Sequence, residues 1–227
     1  MRRLINFLIL AFLKLVALLF FRFDVAWVGD PPVDRWGSYR VLAILNHTSL
    51  FEWLYIGLVP MKFIWRIAGH GLVPTADVTL QRPFVGTFFK VLAPHVVPVT
   101  RQSDSTWEAV IDRANEDVLV IILPEGRMKR ANGLDKKGNP MTVRGGIADI
   151  LRAIPDGHML VAYSGGLHHV QVPGQKFPRL FKTLTMRLEE IDISAYKESL
   201  GAVEDPSEYK HRVQADLEQR RDTYCST

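Results

Sequence analysis

The chain has 227 residues, a length that favours one domain with a well-filled core. Its composition of 48% hydrophobic and 23% charged residues excludes a disordered or low-complexity protein. The single cysteine, Cys225, excludes an intrachain disulfide and a cysteine-rich zinc site, and it suits a reducing compartment. The net charge of +4 comes from the first 23 residues, which carry four basic side chains and no acidic one. Because the rest of the chain is balanced in charge, nucleic acid is not an expected partner.

The N-terminal segment is predicted to be a membrane element. Residues 4–21 are apolar except for Asn6 and Lys14, and as a helix they span about 27 Å, close to the hydrocarbon core of about 30 Å. On a helical wheel Arg3 and Lys14 lie within roughly 20° of each other, and Asn6 and Arg22 flank them on the same side. A lysine at the bilayer centre costs about 2.5–3.5 kcal/mol. We therefore expect residues 1–23 to form a hydrophobic membrane anchor that lies in the interface, with its basic groups at the lipid headgroups.

Three other interpretations of this segment stay open. It could be a single-pass anchor, a buried core helix or a cleaved signal peptide. The signal peptide is disfavoured because the apolar run is long and no small-x-small cleavage site follows it. Trp27 and Trp36, just beyond the segment, suit an interfacial aromatic belt or a protein core equally well.

Residues 24–227 are predicted to form one α/β domain. Apolar, β-branched runs of strand length alternate with longer segments of helical spacing, which indicates a mostly parallel central sheet flanked by helices. The predicted strands are 41–45, 63–67, 95–100, 118–123, 159–163 and 183–188. The predicted helices are 50–58, 84–92, 105–114 and 143–154, and a C-terminal helix over 205–224 with Pro206 in its first turn.

A polar turn, Asn46-His47-Thr48-Ser49, follows the first of these strands. In α/β sheets, ligands and catalytic groups collect beyond the carboxyl ends of the strands. His47 and Glu52 are five positions apart, which on a continuous helix separates them by about 140° around the axis. They therefore meet only if His47 stands in the turn and Glu52 lies in the first helical turn and reaches back. The carboxylate would then hold one imidazole nitrogen and leave the other as a general base.

The same residues also fit a simpler local structure. Ser49-Leu50-Phe51-Glu52 has the pattern of a capping box, in which Glu52 only accepts a backbone N–H and His47 is an ordinary turn residue. The two interpretations differ in the partner of the carboxylate, an imidazole nitrogen or a backbone amide, and the spacing leaves both open.

A second polar turn contains Glu125, Gly126 and Arg127 and follows another strongly apolar strand. Residues 126–148 carry six basic residues, one acidic residue and five glycines. Cationic side chains and free backbone amides beside a strand end are what a phosphate group needs. A solvated basic loop is the alternative. Arg127 differs from the other cations because it directly follows a buried strand and a glycine, and Glu125 would orient it or receive a substrate hydroxyl.

Weaker signals accompany these two turns. Arg101 ends the strand predicted over 95–100 and repeats the pattern of a cation at a strand end. His168-His169 lies beside two glycines, but no carboxylate is close in sequence and the spacing of a zinc-binding helix is missing, so no metal site is expected. The chain also has no Walker loop, no Gly-rich nucleotide fingerprint and no G-x-S-x-G elbow.

Four short blocks follow one another along the chain over roughly residues 40–170. They read Asn46-His47-x4-Glu52, Pro98-Val99-Thr100-Arg101, Pro124-Glu125-Gly126-Arg127 and Leu160-Val161-Ala162-Tyr163-Ser164-Gly165-Gly166. In this order they resemble the motifs of the glycerolipid acyltransferases, the 1-acylglycerol-3-phosphate O-acyltransferase family. The first and third blocks carry the resemblance, the other two support it, and the apolar N-terminal segment also fits.

The resemblance implies a role for each matching residue. His47 is similar to the family's catalytic base, and Glu52 stands where the family usually has an aspartate one methylene shorter. The family's third block reads Glu-Gly-Thr-Arg, so the missing threonine leaves Arg127, Lys129 or Arg130 to take the arginine's task. The implied substrate-binding residues are Asn46, Arg101, Glu125, Gly126 and Arg127, with Arg101 on the acceptor's phosphate.

The resemblance also implies the reaction and its setting. The donor would be an acyl thioester, acyl-CoA or acyl-carrier protein, acting as a co-substrate with no bound cofactor. The acceptor would be a lysophospholipid or a glycerol phosphate, as in phospholipid biosynthesis, with membrane lipids as partners and the catalytic domain on the cytoplasmic face.

Other functions are compatible with the same residues. One is a membrane-docked lipid-binding protein without catalysis, which the Glu52 replacement and the shortened third block would suit. Another is a lipid hydrolase or CoA-independent transacylase that uses the same histidine–glutamate pair. A periplasmic protein behind a signal anchor is a further alternative.

Overall fold

The computed structural model describes residues 1–31, 35–80, 94–100, 104–172, 175, 177–202 and 205–225. Within these residues the strands are β1 (Arg22–Trp27), β2 (Tyr39–Leu45), β3 (Gly71–Ala76), β4 (His95–Val99), β5 (Leu119–Ile122), β6 (His158–Ser164) and β7 (Thr183–Asp192). They form one sheet in the order β1-β7-β6-β2-β5-β3-β4. Neighbouring strands run parallel except β6 and β7, which are antiparallel. The prediction of an α/β fold with a mostly parallel sheet is confirmed.

The helices are α1 (Arg2–Phe20), α2 (Met61–His70), α3 (Asp77–Leu80), α4 (Ser105–Ala114), α5 (Gly146–Ala153), α6 (Ile193–Ser199) and α7 (Pro206–Tyr224), with a 3-10 helix over Glu52–Gly57. Aspartates cap three of them: the side chains of Asp104, Asp192 and Asp205 accept backbone N–H groups at the starts of α4, α6 and α7. Such a cap satisfies amides that have no partner inside the helix.

Both faces of the sheet are covered, as a parallel sheet requires. In the central strand β2, successive side chains point alternately into the two cores. Val41, Ala43 and Leu45 belong to a core shared with α4, α5 and α7. Leu42 and Ile44 face the other core, which contains side chains of α1, the 3-10 helix and α2. The carboxyl end of β2 therefore emerges between two packed layers of helices.

One predicted strand is wrong. Residues 63–67 lie in α2, whose buried side chains Phe63, Ile64, Ile67 and Ala68 follow helical spacing. A short apolar run does not distinguish a buried strand from a buried helix. The strand of this region is β3 instead, which contains Gly71 and Pro74, residues that argue against a central strand in a sequence.

The other predicted elements have mixed outcomes. The helix over 105–114 and the C-terminal helix after Asp205 are confirmed. The segment predicted as a helix over 50–58 contains only the 3-10 helix, and β1 was not predicted. The helix predicted over 84–92 lies outside the described residues.

The N-terminal helix α1 packs its polar face against the domain. Lys14 Nζ donates to the carbonyl oxygens of Gly57 at 2.6 Å and Val59 at 2.8 Å. The Arg3 guanidinium lies 4.3 Å from the ring centroid of Trp65. The wheel therefore identified the shared polar face, but the expectation that Arg3 and Lys14 reach lipid headgroups is wrong, because both contact protein. Since the helix ends at Phe20, Arg22 belongs to the sheet.

The opposite face of α1 is apolar and exposed. By length and composition this helix could cross a membrane, and it is the one such helix in the described part of the chain. The polar contacts of its inner face, however, join it to the domain along its length. Its exposed apolar residues are Leu4, Ile5, Leu8, Phe12, Leu15, Leu18 and Leu19.

Candidate active site

The site is built on the turn that follows β2. Asn46 has a φ of 65°, in the left-handed region that asparagine tolerates better than most residues. Its side-chain Nδ2 donates to the carbonyl oxygen of Ser164, at the end of the neighbouring strand β6, over 2.9 Å. The reversal at Asn46 ends the strand abruptly and brings His47 to the carboxyl edge of the sheet.

The turn brings His47 and Glu52 together. Nδ1 of His47 lies 3.0 Å from Oε1 of Glu52, at ion-pairing distance but without the alignment of a directed hydrogen bond. The same Oε1 accepts the backbone N–H groups of Thr48 and Ser49, each over 2.9 Å. The side chains of His47 and Glu52 are 13% and 9% exposed.

The two interpretations of Glu52 are therefore compatible. Its carboxylate accepts backbone amides, as a capping residue does, and it also lies beside the imidazole. Ser49 is not the N-cap that a capping box requires, because the 3-10 helix begins at Glu52 and Phe51 occupies the cap position. The amide bonds hold the carboxylate rigidly in the place where it meets His47.

The surroundings of His47 favour its protonated form. Burial of the ring lowers its pKa, but the negative charges of Glu52 and Glu125 raise it by more. The pKa of His47 consequently lies above its ordinary value. A base in this environment holds a proton that it has taken from a substrate.

Glu125 supports the same turn from the end of β5. Its carboxylate is 1% exposed, and Oε2 accepts the backbone N–H of His47 over 2.8 Å. Glu125 Oε1 lies 3.4 Å from Nη1 of Arg221, a residue of α7. The same Nη1 also donates to the carbonyl oxygen of Met141 over 3.1 Å. Arg221 thus supplies the positive charge that compensates a buried carboxylate next to His47.

Arg221 was not among the sequence candidates. It lies in a charged C-terminal helix whose pattern is that of an exposed surface, and no local motif distinguishes it from its neighbours. Only the packing of α7 beside β5 brings it to Glu125. The burial of Glu125, which the preceding apolar strand suggests, is the one signal that a distant cation was needed.

The candidate cations of the third block are placed differently. Arg127 is paired with Asp135, and its Nη2 donates to Thr142 Oγ1 over 3.0 Å. Lys129 instead contacts the turn after β2: its backbone N–H donates to the His47 carbonyl over 2.7 Å, and its Nζ lies 3.4 Å from Asn46 Oδ1.

Two further sequence candidates are Gly126 and Arg101. Gly126 has a φ of 60°, which glycine adopts without strain, and lies at the wall of the cavity described below. Arg101 lies outside the described residues.

A cavity of about 730 Å³ adjoins His47 and Glu52. This volume is in the range of about 300–1,000 Å³ that is usual for ligand sites. Among the described residues its walls are mostly apolar and come from β2, the 3-10 helix, α2, β3 and β5, and Leu10 and Leu13 of α1 also contribute. Arg127 lines the cavity as well. The arrangement suits an amphipathic substrate that has a long apolar part and an anionic group.

Comparison with known proteins defines the class of this protein. The family model described as Acyltransferase matches residues 33–164, more than half of the chain, and this region contains His47, Glu52, Glu125 and Arg127. The chain belongs to the Acyltransferase family. A search of curated proteins finds no match.

The fold is similar to that of a solved acyltransferase. The crystal structure of the 1-acyl-sn-glycerophosphate (LPA) acyltransferase PlsC from Thermotoga maritima matches with a TM-score of 0.56 and 15% sequence identity. The match covers 95% of this chain and 79% of that chain. At this identity the likeness concerns the fold. Together the family and the fold confirm the resemblance seen in the sequence and the expectation of an acyltransferase enzyme.

Across the described ranges, no group of three or more histidine, cysteine, aspartate or glutamate side chains is placed to hold a metal ion. His168, one of the two adjacent histidines noted in the sequence, lies with its Nε2 2.9 Å from the carbonyl oxygen of Lys129. That contact places His168 beside the loop that carries Lys129.

Proposed function

We propose that the protein transfers a fatty acyl group from an acyl thioester, acyl-CoA or acyl-carrier protein, to a hydroxyl of a lysophospholipid or glycerol phosphate. The observation that carries this proposal is the His47–Glu52 pair beside a mostly apolar cavity. Membership of the Acyltransferase family supports acyl transfer as the reaction. The activity named for the similar PlsC structure supports a glycerolipid acceptor, and with it a place in phospholipid biosynthesis.

His47 acts as the general base in this proposal. Because Nδ1 lies beside Glu52, Nε2 is the nitrogen left for the acceptor hydroxyl. It takes the hydroxyl proton as the oxygen attacks the thioester carbonyl carbon. The carbon–sulfur bond then breaks, the new ester remains, and the leaving thiolate takes the proton back from the imidazolium. Glu52 stabilises the imidazolium between these steps, and a base positioned in this way usually supplies about 10²–10⁴ in rate.

Lys129 is the cation that we assign to the acceptor's phosphate. Its backbone is bonded to His47 and its ammonium lies beside Asn46, so a phosphate bound there would hold a nearby hydroxyl close to the base. Arg127 lines the cavity, but its guanidinium is already paired with Asp135. Arg101 keeps its proposed role as a second phosphate contact on the strength of the sequence resemblance alone.

The membrane side of the molecule is proposed to be the exposed face of α1. The helix would lie in the interface with this face toward lipid and the domain on the cytoplasmic side. Lys14 supports this orientation because its bonds to two carbonyl oxygens keep the helix against the domain. Leu10 and Leu13 line the cavity, so an acyl chain leaving the bilayer, where each CH₂ gains about 0.8 kcal/mol by burial, would remain in apolar surroundings.

A radiolabelled acyl-transfer assay tests the proposal. Membranes containing the protein receive labelled acyl-CoA or acyl-carrier protein, with glycerol 3-phosphate or a panel of lysophospholipids. We expect a labelled acylated product that His47→Ala reduces by at least about 10², whereas His211→Ala, at an exposed histidine of α7, leaves the rate unchanged. Lys129→Met should raise the KM for the phosphate-bearing acceptor, and Lys136→Met in the exposed loop should not.

Other outcomes would replace the proposal. Labelled free fatty acid without an acceptor would indicate a hydrolase, and transfer from phospholipid without any thioester would indicate a transacylase. Lipid binding without any product, unaffected by His47→Ala, would indicate a non-catalytic binding protein.

A further inference from the structure

A loop before β7 exposes three large apolar side chains. Phe177 is 80% exposed, Phe181 65% and Leu180 45%, although the sheet beside them has a fully packed core. Contiguous apolar surface of this kind is unusual on a soluble face and marks a contact with lipid or another protein. Neither the turn after β2 nor the cavity uses any residue of this segment, which we call the 177–182 loop.

The backbone holds these side chains outward. The N–H of Arg179 donates to the carbonyl oxygen of Val170 over 2.8 Å, and the N–H of Phe181 donates to that of Phe20 over 2.7 Å. Phe181 has a φ of 59°, a left-handed conformation that is uncommon for an aromatic residue. The exposed position of its ring therefore follows from fixed backbone contacts at both sides of the loop.

The loop continues the apolar face of α1. The Phe181 ring lies 6.1 Å from that of Phe20, the last residue of the helix. Leu18 and Leu19, which precede Phe20 in the last turn of α1, are also exposed. Helix and loop therefore expose apolar side chains next to each other at this end of α1.

Basic residues border the aromatic ones. Arg179 and Lys182 are exposed within the loop, and exposed Arg22 donates its backbone N–H to the carbonyl oxygen of Lys182 over 3.0 Å. Asp24 in β1 is an exposed acid at the same edge, so among the described residues named here three cations face one acid. Aromatic side chains surrounded by arginine and lysine are typical of a segment that inserts at the headgroup level of an anionic bilayer.

We propose that the 177–182 loop is a second membrane-contacting element, which inserts Phe177, Leu180 and Phe181 into an anionic bilayer beside α1. The proposal rests on the proposed membrane association of α1 and adds to it a second point of contact. Because the Phe181 ring lies beside that of Phe20, the loop would extend the membrane contact beyond the end of the helix. Binding would then depend on both apolar insertion and anionic headgroups.

Vesicle sedimentation of the full-length protein tests the loop. The variant Phe177→Ser/Leu180→Ser/Phe181→Asn keeps a residue that tolerates positive φ at position 181. We expect it to weaken partitioning into phosphatidylcholine–phosphatidylglycerol vesicles by at least about fivefold. Arg179→Gln/Lys182→Gln should weaken binding to these vesicles by about tenfold, and to pure phosphatidylcholine vesicles much less. Lys136→Gln/Lys137→Gln removes equal charge from another exposed loop and should leave binding unchanged.

A fluorescent label reports insertion directly. Cys225 is the only cysteine, so a Cys225→Ser background allows a polarity-sensitive dye to be placed through Phe177→Cys, with Lys137→Cys as the control position. We expect a blue shift on adding anionic vesicles at the first position and none at the second. Acyl transfer to detergent-dispersed acceptor should be the same in the loop variants and the wild type.

Specific results would overturn the inference. If Leu8→Ser/Phe12→Ser/Leu15→Ser in α1 abolishes vesicle binding while the loop variants bind as the wild type does, the loop is not a membrane contact. If neither set of variants changes binding, membrane association through α1 itself fails. A change in oligomeric state by sedimentation velocity, with vesicle binding unaltered, would instead make the loop a contact between copies of the chain.

Discussion

The contact between Arg221 and Glu125 can be tested by replacing the arginine with methionine. Arg221→Met keeps an apolar stem of similar length and removes the positive charge next to a carboxylate that is 1% exposed. Glu125 would then be left as a buried anion, still bonded to the N–H of His47. We expect the protein to be destabilised and the turn after β2 to be loosened with it.

The magnitude follows from the burial of the two side chains. Removing one partner of a buried ion pair usually costs about 3–5 kcal/mol. Arg221 is 14% exposed, and Glu125 keeps one hydrogen bond, so we expect the lower end, about 3 kcal/mol of unfolding free energy. For a chain of this length that corresponds to a Tm lower by roughly 6–12 °C.

A double-mutant cycle isolates the interaction free energy between Arg221 and Glu125. In a Glu125→Gln background no buried charge needs compensation. Arg221→Met should then cost only about 1 kcal/mol, for the lost bond to the Met141 carbonyl oxygen and the lost pair with the exposed Asp222. The expected coupling between the two positions is therefore about 2 kcal/mol, measured by denaturant unfolding in mild detergent. Arg212→Met is the matched control on the same helix, because its partner Glu208 is exposed and such pairs contribute about 1 kcal/mol or less.

Two results would refute this reasoning. If the substitutions at Arg221 and Glu125 add to within about 0.5 kcal/mol, the two charges do not interact in the folded protein. If Arg212→Met is as costly as Arg221→Met, the loss reflects the stability of α7 and not the compensation of a buried carboxylate.

Three further substitutions test the site and the helix attachment. Glu52→Gln removes a negative charge beside His47, so the pKa of His47 should fall and the acidic limb of the kcat/KM–pH profile should move to lower pH; an unmoved limb would contradict the pairing. Lys14→Met leaves two carbonyl oxygens without their donor and should cost about 1–3 kcal/mol in denaturant unfolding, whereas unchanged stability would mean that the ammonium faces lipid. Asn46→Gly should keep more acyl-transfer activity than Asn46→Ala, because only the alanine also strains the left-handed backbone; equal losses would show that this conformation does not matter.

Much of the site could be predicted because it is local in sequence. The five-residue spacing of His47 and Glu52 excluded a shared helix face, which required the turn geometry that the structure has. The apolar runs before Asn46 and before Glu125 were predicted as strands whose polar ends lie at the same edge of a parallel sheet. Local rules succeed here because strand ends and turns are set by the residues that form them.

Prediction failed where two structures satisfy the same pattern. The run from Phe63 to Ile67 is apolar in a way that suits a buried strand or a buried helix, and only its packing against the sheet selects the helix. The spacing likewise does not show whether Arg127 is free to bind a phosphate. In the structure Asp135 accepts two backbone N–H groups of its own loop and pairs with the Arg127 guanidinium. Neither outcome can be read from spacing.

The sequence by itself determined which residues are chemically distinctive: a histidine and two glutamates at strand ends, a cluster of cations, and a helix with one polar and one apolar face. The tertiary structure decided what each of them meets. It turned the polar face of α1 toward carbonyl oxygens of the domain, and it brought Arg221 from the last helix to Glu125. The physical reason is that a buried charge needs compensation but does not specify its source. The sequence pattern therefore identifies the polar face and the buried charge, and the packing of distant elements determines which groups they contact.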